Sequence, residues 1–198
     1  MLPSAFVDWW FAPWSYAHPA HAHLPLAADR LGRRDGYRLW CDRTGIAADL
    51  PGNFDPAWSD AICTDGTQLM ATARLFAGLM AAREHEQPLL DALPFAERKW
   101  CISIAATQPL LRCRQARYGT DESIEVRGLV ELGRRLRNGF PGLWPRLRLM
   151  LAAGEAAQVD RLLDTAVATE NDTSAVRAQR CWRLCRNYAA APSHGQEG

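Results

Sequence analysis

Apolar residues recur at helical spacing through most of the chain, and prolines cut the pattern into pieces. The clearest piece is 66–84, where Leu69, Ala73, Phe76 and Met80 lie three and four apart and Met70, Leu75 and Leu79 widen the face. A helix apolar on several sides belongs at the centre of a fold. Upstream, Pro25 can open a helix over roughly 25–42, weakened by Gly32 and Gly36, and Asp55-Pro56 caps and starts a short helix containing Trp58. Downstream, Pro88 starts a short helix through Leu89, Leu90 and Leu93. Pro94 starts another, expected to face Phe95, Ile102 and Ala106 inward before Pro109 interrupts it. Asp121 and Glu122 begin a helix with the apolar line Leu129, Leu132 and Leu136, basic at its end, with Gly139 just past it. Two more follow, over 155–169 (Val159, Leu162, Leu163, Ala166) and over 173–189, capped by Asp172 or Thr173, with Cys181, Leu184 and Tyr188 in line.

Two stretches break this rhythm. Residues 1–25 hold Trp9, Trp10, Phe11, Trp14 and Tyr16 among four prolines. The prolines forbid a long helix, and so many aromatics must pack onto something. Residues 143–150, Leu-Trp-Pro-Arg-Leu-Arg-Leu-Met, alternate apolar and basic, so a short strand competes with a helix opened by Pro145. The expectation is an all-α, irregular globular bundle of seven or eight helices with at most one short strand. It forms a single domain over 1–190, with segment 1–25 packed onto it and 191–198 a flexible tail. No repeat of 20–50 residues argues for a solenoid.

Composition adds exclusions. Of 198 residues 48% are apolar, enough for a real core, and the net charge of +1 selects no partner. Arginine outnumbers lysine 22 to one (Lys99). No stretch supplies the ~20 consecutive apolar residues of a membrane span. The N-terminus lacks a basic stretch and carries Asp8 within its apolar run, so it does not read as an export signal. Six cysteines (41, 63, 101, 113, 181, 185) form no C-x-x-C pair and are expected as buried thiols in a reducing compartment.

The search for chemistry yields little. His18, His21 and His23 are the only dense set of metal-ligand types, but no Cys, Asp or Glu completes a site. Cys181 and Cys185 share a helix face bordered by Leu184 and Tyr188, which suits packing better than ligation. His85 sits between two glutamates as a solvated helix end. Neither G-x-S-x-G nor a glycine-rich phosphate loop occurs. No catalytic residue, cofactor or metal is therefore expected. Charge is unevenly spread: residues 112–150 carry nine Arg against four acids, whereas 51–111 carry four bases against seven acids. The basic stretch is read as a face for an acidic protein, with a nucleic-acid-binding surface as the alternative and solvated helix faces as the plain one.

One linear pattern goes further. Phe11-Ala-Pro-Trp-Ser-Tyr-Ala-His18 with Leu24-Pro25, the Gly78-containing helix Leu69–Met80, and Leu93-Pro-Phe-Ala-Glu-Arg-Lys-Trp-Cys-Ile-Ser-Ile-Ala-Ala-Thr-Gln-Pro-Leu110 occur in order. Arg127-Gly-Leu-Val-Glu-Leu-Gly133 and Leu143-Trp-Pro-Arg-Leu-Arg-Leu149 follow. Together they resemble the SctK (YscK-like) family of type III secretion accessory proteins over residues 10–151. The resemblance implies a non-catalytic adaptor, without cofactor, in the cytosolic sorting platform. It would join the pod protein (SctQ) to the inner-membrane ring protein (SctD), cytoplasmic and peripheral at the base of the apparatus. Candidate contact residues are Arg134, Arg135, Arg137, Arg146 and Arg148 on the basic stretch, and Trp14, Tyr16 and His18 in the aromatic segment. For most of Trp9, Trp10, Trp14 and Tyr16, packing on the chain's own core competes with that role.

Overall fold

A computed structural model describes residues 1–21, 30–113, 118–119, 122–164 and 175–191. Among them the fold is all-α: nine α-helices linked by turns and short 3-10 segments, with no strand. The helices are α1 (Ser4–Phe11), α2 (Arg30–Thr44), α3 (Gly66–Glu84), α4 (Gln87–Asp91), α5 (Phe95–Thr107), α6 (Ile124–Gly139), α7 (Leu143–Leu147), α8 (Ala153–Asp164) and α9 (Ala175–Ala190). No helix is long and apolar enough to cross a membrane among the described residues.

The central helix is α3, with the bounds its periodicity predicts. Asp65 caps it by accepting the Gln68 N–H at 2.8 Å, and His85 ends it in the left-handed conformation at φ 59°. Leu69, Leu75, Phe76, Leu79 and Met80 are all buried, so α3 presents apolar surface in every direction. Helices α4, α5, α6 and α9 pack around it, and α6 in turn carries α7 and α8. Two glycines set the closeness of that packing. A Cβ on Gly128 of α6 would collide with the Ala73 carbonyl of α3, and one on Gly78 of α3 would lie 2.8 Å from Cys101 Sγ of α5.

Two expectations change and one open alternative is settled. Phe95, Ile102 and Ala106 do not face inward: Phe95 is 76% and Ile102 51% exposed, and Ala106 is exposed too. The buried face of α5 is Cys101 and Ala105, because only small side chains let α5 approach α3 at Gly78. Helix α6 begins at Ile124, capped by Ser123 rather than by the acids before it, and Gly139 is its last residue rather than the one after it. Segment 143–150 is helical throughout, α7 running into a 3-10 turn at Arg148–Met150. Gly142, at φ 87°, turns the chain into α7, and Pro145 falls in its first turn, where no backbone N–H is required.

The expected helix 25–42 is matched by α2 from Arg30 onward; its proposed start at Pro25 lies outside the described residues. So do the cap at Asp172 or Thr173, residues 165–169, and the tail beyond Ala191. The aromatic N-terminal segment packs on the core as expected. It does so through a two-turn helix that fits between Pro3 and Pro13. Phe6 and Trp10 are buried against Phe140, with ring centroids at 5.5 and 5.6 Å, and Trp9 stacks on Tyr16 at 4.3 Å. The His18 N–H then donates to the Leu149 carbonyl at 2.7 Å, fastening this segment to the stretch after α7.

Candidate functional site

The five arginines expected to form one basic face do not share a surface. Arg135 is 5% exposed, pairs with the buried Glu131 carboxylate at 2.6 Å, and also donates to the Leu111 carbonyl. Arg146 is 0% exposed. Both leave the set of contact residues, because a buried guanidinium has no surface to offer a partner. Arg148 lies half-buried in an ion pair with Asp160 at 2.8 Å and also donates to the Thr44 carbonyl. Arg137 is exposed and reaches the Leu163 carbonyl at 3.2 Å; Arg134 is half-buried. Arg112, also in the basic stretch, is clamped by Glu84 and Glu86. Among the described arginines of this stretch, few are left for a long run of phosphates.

The aromatic candidates divide as well. Tyr16 is buried and leaves the contact set for the same reason, while Trp14 and His18 are half-buried. The His18 imidazole turns back on its own segment, its Nδ1 accepting the Ala20 N–H at 3.2 Å. His21 closes the 3-10 turn Pro19–His21, and His23 lies outside the described residues. Among the described residues no group of three or more His, Cys, Asp or Glu could hold a metal. Tyr16 and His18 line the rim of a cleft of about 690 Å³, shared with Asp65 and Arg74 of the α3 region, Glu125 of α6 and Glu155 of α8. Within it Arg74 is already paired to Glu97 at 2.6 Å.

Two buried polar clusters lie inside the molecule, and the sequence announced neither. In the first, Glu131 of α6 is entirely buried. Its two carboxylate oxygens take the Tyr118 hydroxyl at 2.7 Å, the Cys113 N–H at 3.0 Å and the Arg135 guanidinium. The charge is fully answered, as a buried carboxylate requires. Glu131 to Arg135 is an i,i+4 pair and could have been suspected from spacing; its burial could not.

The second cluster surrounds Arg146. Its guanidinium lies over the Trp10 ring at 3.8 Å, and its Nη2 donates to the Tyr37 hydroxyl at 2.9 Å and to the Ala47 carbonyl at 2.7 Å. Tyr37 in turn donates to the Ala48 carbonyl. Burial pushes the Tyr16 hydroxyl well above its usual range and the Tyr37 hydroxyl up to about 12, partly opposed by Arg146 beside both. These residues come from α1, the turn after it, α2 and α7, more than 100 positions apart in the longest case, so no local pattern could assemble them.

The cysteines all carry thiols, five of them buried and Cys113 half-buried. Burial raises Cys63 and Cys101 to about 12, Cys181 to about 11, and Cys41 and Cys185 upward as well. Each of these stays protonated at neutral pH, which is the chemistry of packing rather than of a nucleophile. Cys181 and Cys185 pack with Ala178 and Trp182 in the face of α9. The chain matches no protein-family model, no curated protein and no solved structure.

Proposed function

We propose that the chain is a non-catalytic adaptor of the type III secretion sorting platform, joining an SctQ-like pod protein to the cytoplasmic part of an SctD-like ring protein. One observation supports this reading above the others. The separated segments that carry the SctK-like pattern are packed against one another rather than scattered. Trp10, one residue before the first motif, lies on Arg146 of the Leu143–Leu149 motif; His18 of the first is hydrogen-bonded to Leu149 of the last; Gly78 lies against Leu93 and Cys101 of the third. Such a pattern describes one rigid helical body. An adaptor works by presenting surfaces, and its exchangeable contacts are smaller and more polar than a permanent interface.

The contact residues still at the surface are Arg137, with Arg134, Arg148, Trp14 and His18 half-buried beside it. The deciding experiment is deletion in the parent bacterium. Effector secretion is lost while the membrane rings still assemble, and the pod protein co-purifies with the tagged chain. In that pull-down, combining Arg137→Glu with Trp14→Ala lowers pod-protein recovery at least tenfold, without changing the chain's own melting temperature. A deletion strain that secretes normally overturns the reading.

A further inference from the structure

Helix α3 is apolar on every side, and α4, α5, α6 and α9 cover most of it. Near its N-terminus that cover is incomplete. Met70 and Ala71 are only half-buried, and with Met150 they give the cleft of about 690 Å³ an apolar floor. Methionine is unbranched and polarisable, so such a floor adapts to the group that rests on it. The rim is mostly acidic: Asp65 before α3, Glu125 of α6 and Glu155 of α8 all line it. Asp65 accepts the Gln68 N–H at 2.8 Å and the Thr64 hydroxyl at 3.2 Å, and Glu155 accepts the Ala152 N–H at 3.3 Å. A carboxylate has about four acceptor sites, so these bonds leave both groups able to take more. Arg74 also lines the cleft, but both oxygens of Glu97 hold it, at 2.8 and 2.6 Å, with Glu125 at 3.7 Å. Its charge is matched already, which leaves carboxylates in excess on the rim among the described residues. Gly66 and Thr67 open α3 onto the same cleft, and the N–H groups of a helix's first turn have no partner within the helix.

We propose that this cleft receives a short segment of a partner protein that carries an arginine or lysine beside an apolar side chain. The apolar side chain rests on Met70, Ala71 and Met150, the cation meets Glu125 and Glu155, and a carbonyl of the segment accepts from the start of α3. The volume is in the range of pockets that enclose such a ligand. The charge of the rim selects a basic segment and repels a nucleic acid. A free polyamine matches the charge but brings no carbonyl for the α3 N–H groups. Occupancy of the cleft does not depend on which larger assembly the chain joins.

The test follows the backbone amide signals of the isotope-labelled full chain by NMR during titration with three probes: acetyl-Leu-Arg-Leu-amide, acetyl-Leu-Glu-Leu-amide and spermine. With the arginine peptide, shifts concentrate at Gly66, Thr67, Met70, Ala71 and Ala152. They saturate with a Kd on the order of 0.1 mM, as a small ligand with few contacts allows. The glutamate peptide gives no saturating shifts at these positions, and spermine binds more weakly than the arginine peptide. Combining Glu125→Gln with Glu155→Gln keeps both side-chain shapes and an acceptor for the Ala152 N–H. It raises the Kd of the arginine peptide roughly fivefold, as loss of two part-exposed ion pairs implies. Asp91→Asn, beyond the far end of α3, leaves that Kd unchanged. The peptide comparison on the parent chain stands even if the double variant folds poorly. Absent or scattered shifts, equal affinity for the arginine and glutamate peptides, or tighter binding of spermine than of the arginine peptide would each overturn the proposal.

Discussion

At the scale of single residues, the closest packing in this molecule is set by atoms that are missing. Gly128 brings α6 so near α3 that any side chain would meet the Ala73 carbonyl, a backbone atom that cannot swing aside. Gly128→Ala therefore forces the two most extensively packed helices apart and costs about 1–3 kcal/mol, the usual penalty for overfilling a close-packed interior. Gly154, in the first turn of α8, has open space around its Cβ position and an ordinary φ. Gly154→Ala should stabilise by about 0.5–1 kcal/mol through lower chain entropy in the unfolded state. Urea midpoints of the two variants, measured side by side, are expected to move in opposite directions. The same replacement thus has two signs, and only the three-dimensional neighbour decides which. In the sequence neither sign is legible: Gly128 falls inside an expected helix and Gly154 just ahead of the next one.

At the scale of elements, legibility tracks how local the determining interactions are. The bounds of α3 could be read because a long apolar period, an Asp cap and a C-terminal stop all lie within the segment itself. The inward face of α5 could not, because two faces compete and the winner depends on another helix. Phe95 and Ile102 are the larger apolar residues, and a reading by hydrophobicity turns them inward. Contact with α3 at Gly78 instead selects the small pair Cys101 and Ala105. The larger stripe is left outside, with Lys99 between its members. Phe95→Ser and Ile102→Ser should accordingly change stability by no more than about 0.5 kcal/mol, as surface replacements do. Cys101→Leu at the tight crossing costs about 1–3 kcal/mol. Chemical denaturation of the three variants checks the assignment, and a large loss for Phe95→Ser would mean that the helix is turned the other way. The contact residues failed to be legible for a related reason. Spacing showed that residues 134–148 are basic, but whether an arginine faces water or a buried partner is settled by α2, by the N-terminal segment and by Glu131.

At the scale of the whole molecule, the buried thiols couple the fold to pH. In an unfolded chain a cysteine titrates near 8.5. Inside this core burial holds Cys63 and Cys101 protonated up to about 12. Their folded values lie above the unfolded ones, so the stabilisation is complete below about pH 8.5. It is lost progressively as pH rises towards 12, because the unfolded chain releases protons that the folded chain still holds. Between pH 7.5 and 9.5 these two groups together should lower the unfolding free energy by on the order of 2–3 kcal/mol. Tyrosines contribute little over that interval, since an unfolded tyrosine titrates near 10. The double variant Cys63→Ala, Cys101→Ala starts from lower stability because it leaves two small cavities, but its free energy should fall by about 2–3 kcal/mol less over the same interval. The raised thiols of Cys41, Cys181 and Cys185 still contribute to the fall in both. Urea unfolding under reducing conditions at pH 7.5, 8.5 and 9.5 compares the two slopes. Parallel curves for parent and variant would show that the thiols are not held protonated by the core, whatever the absolute stabilities.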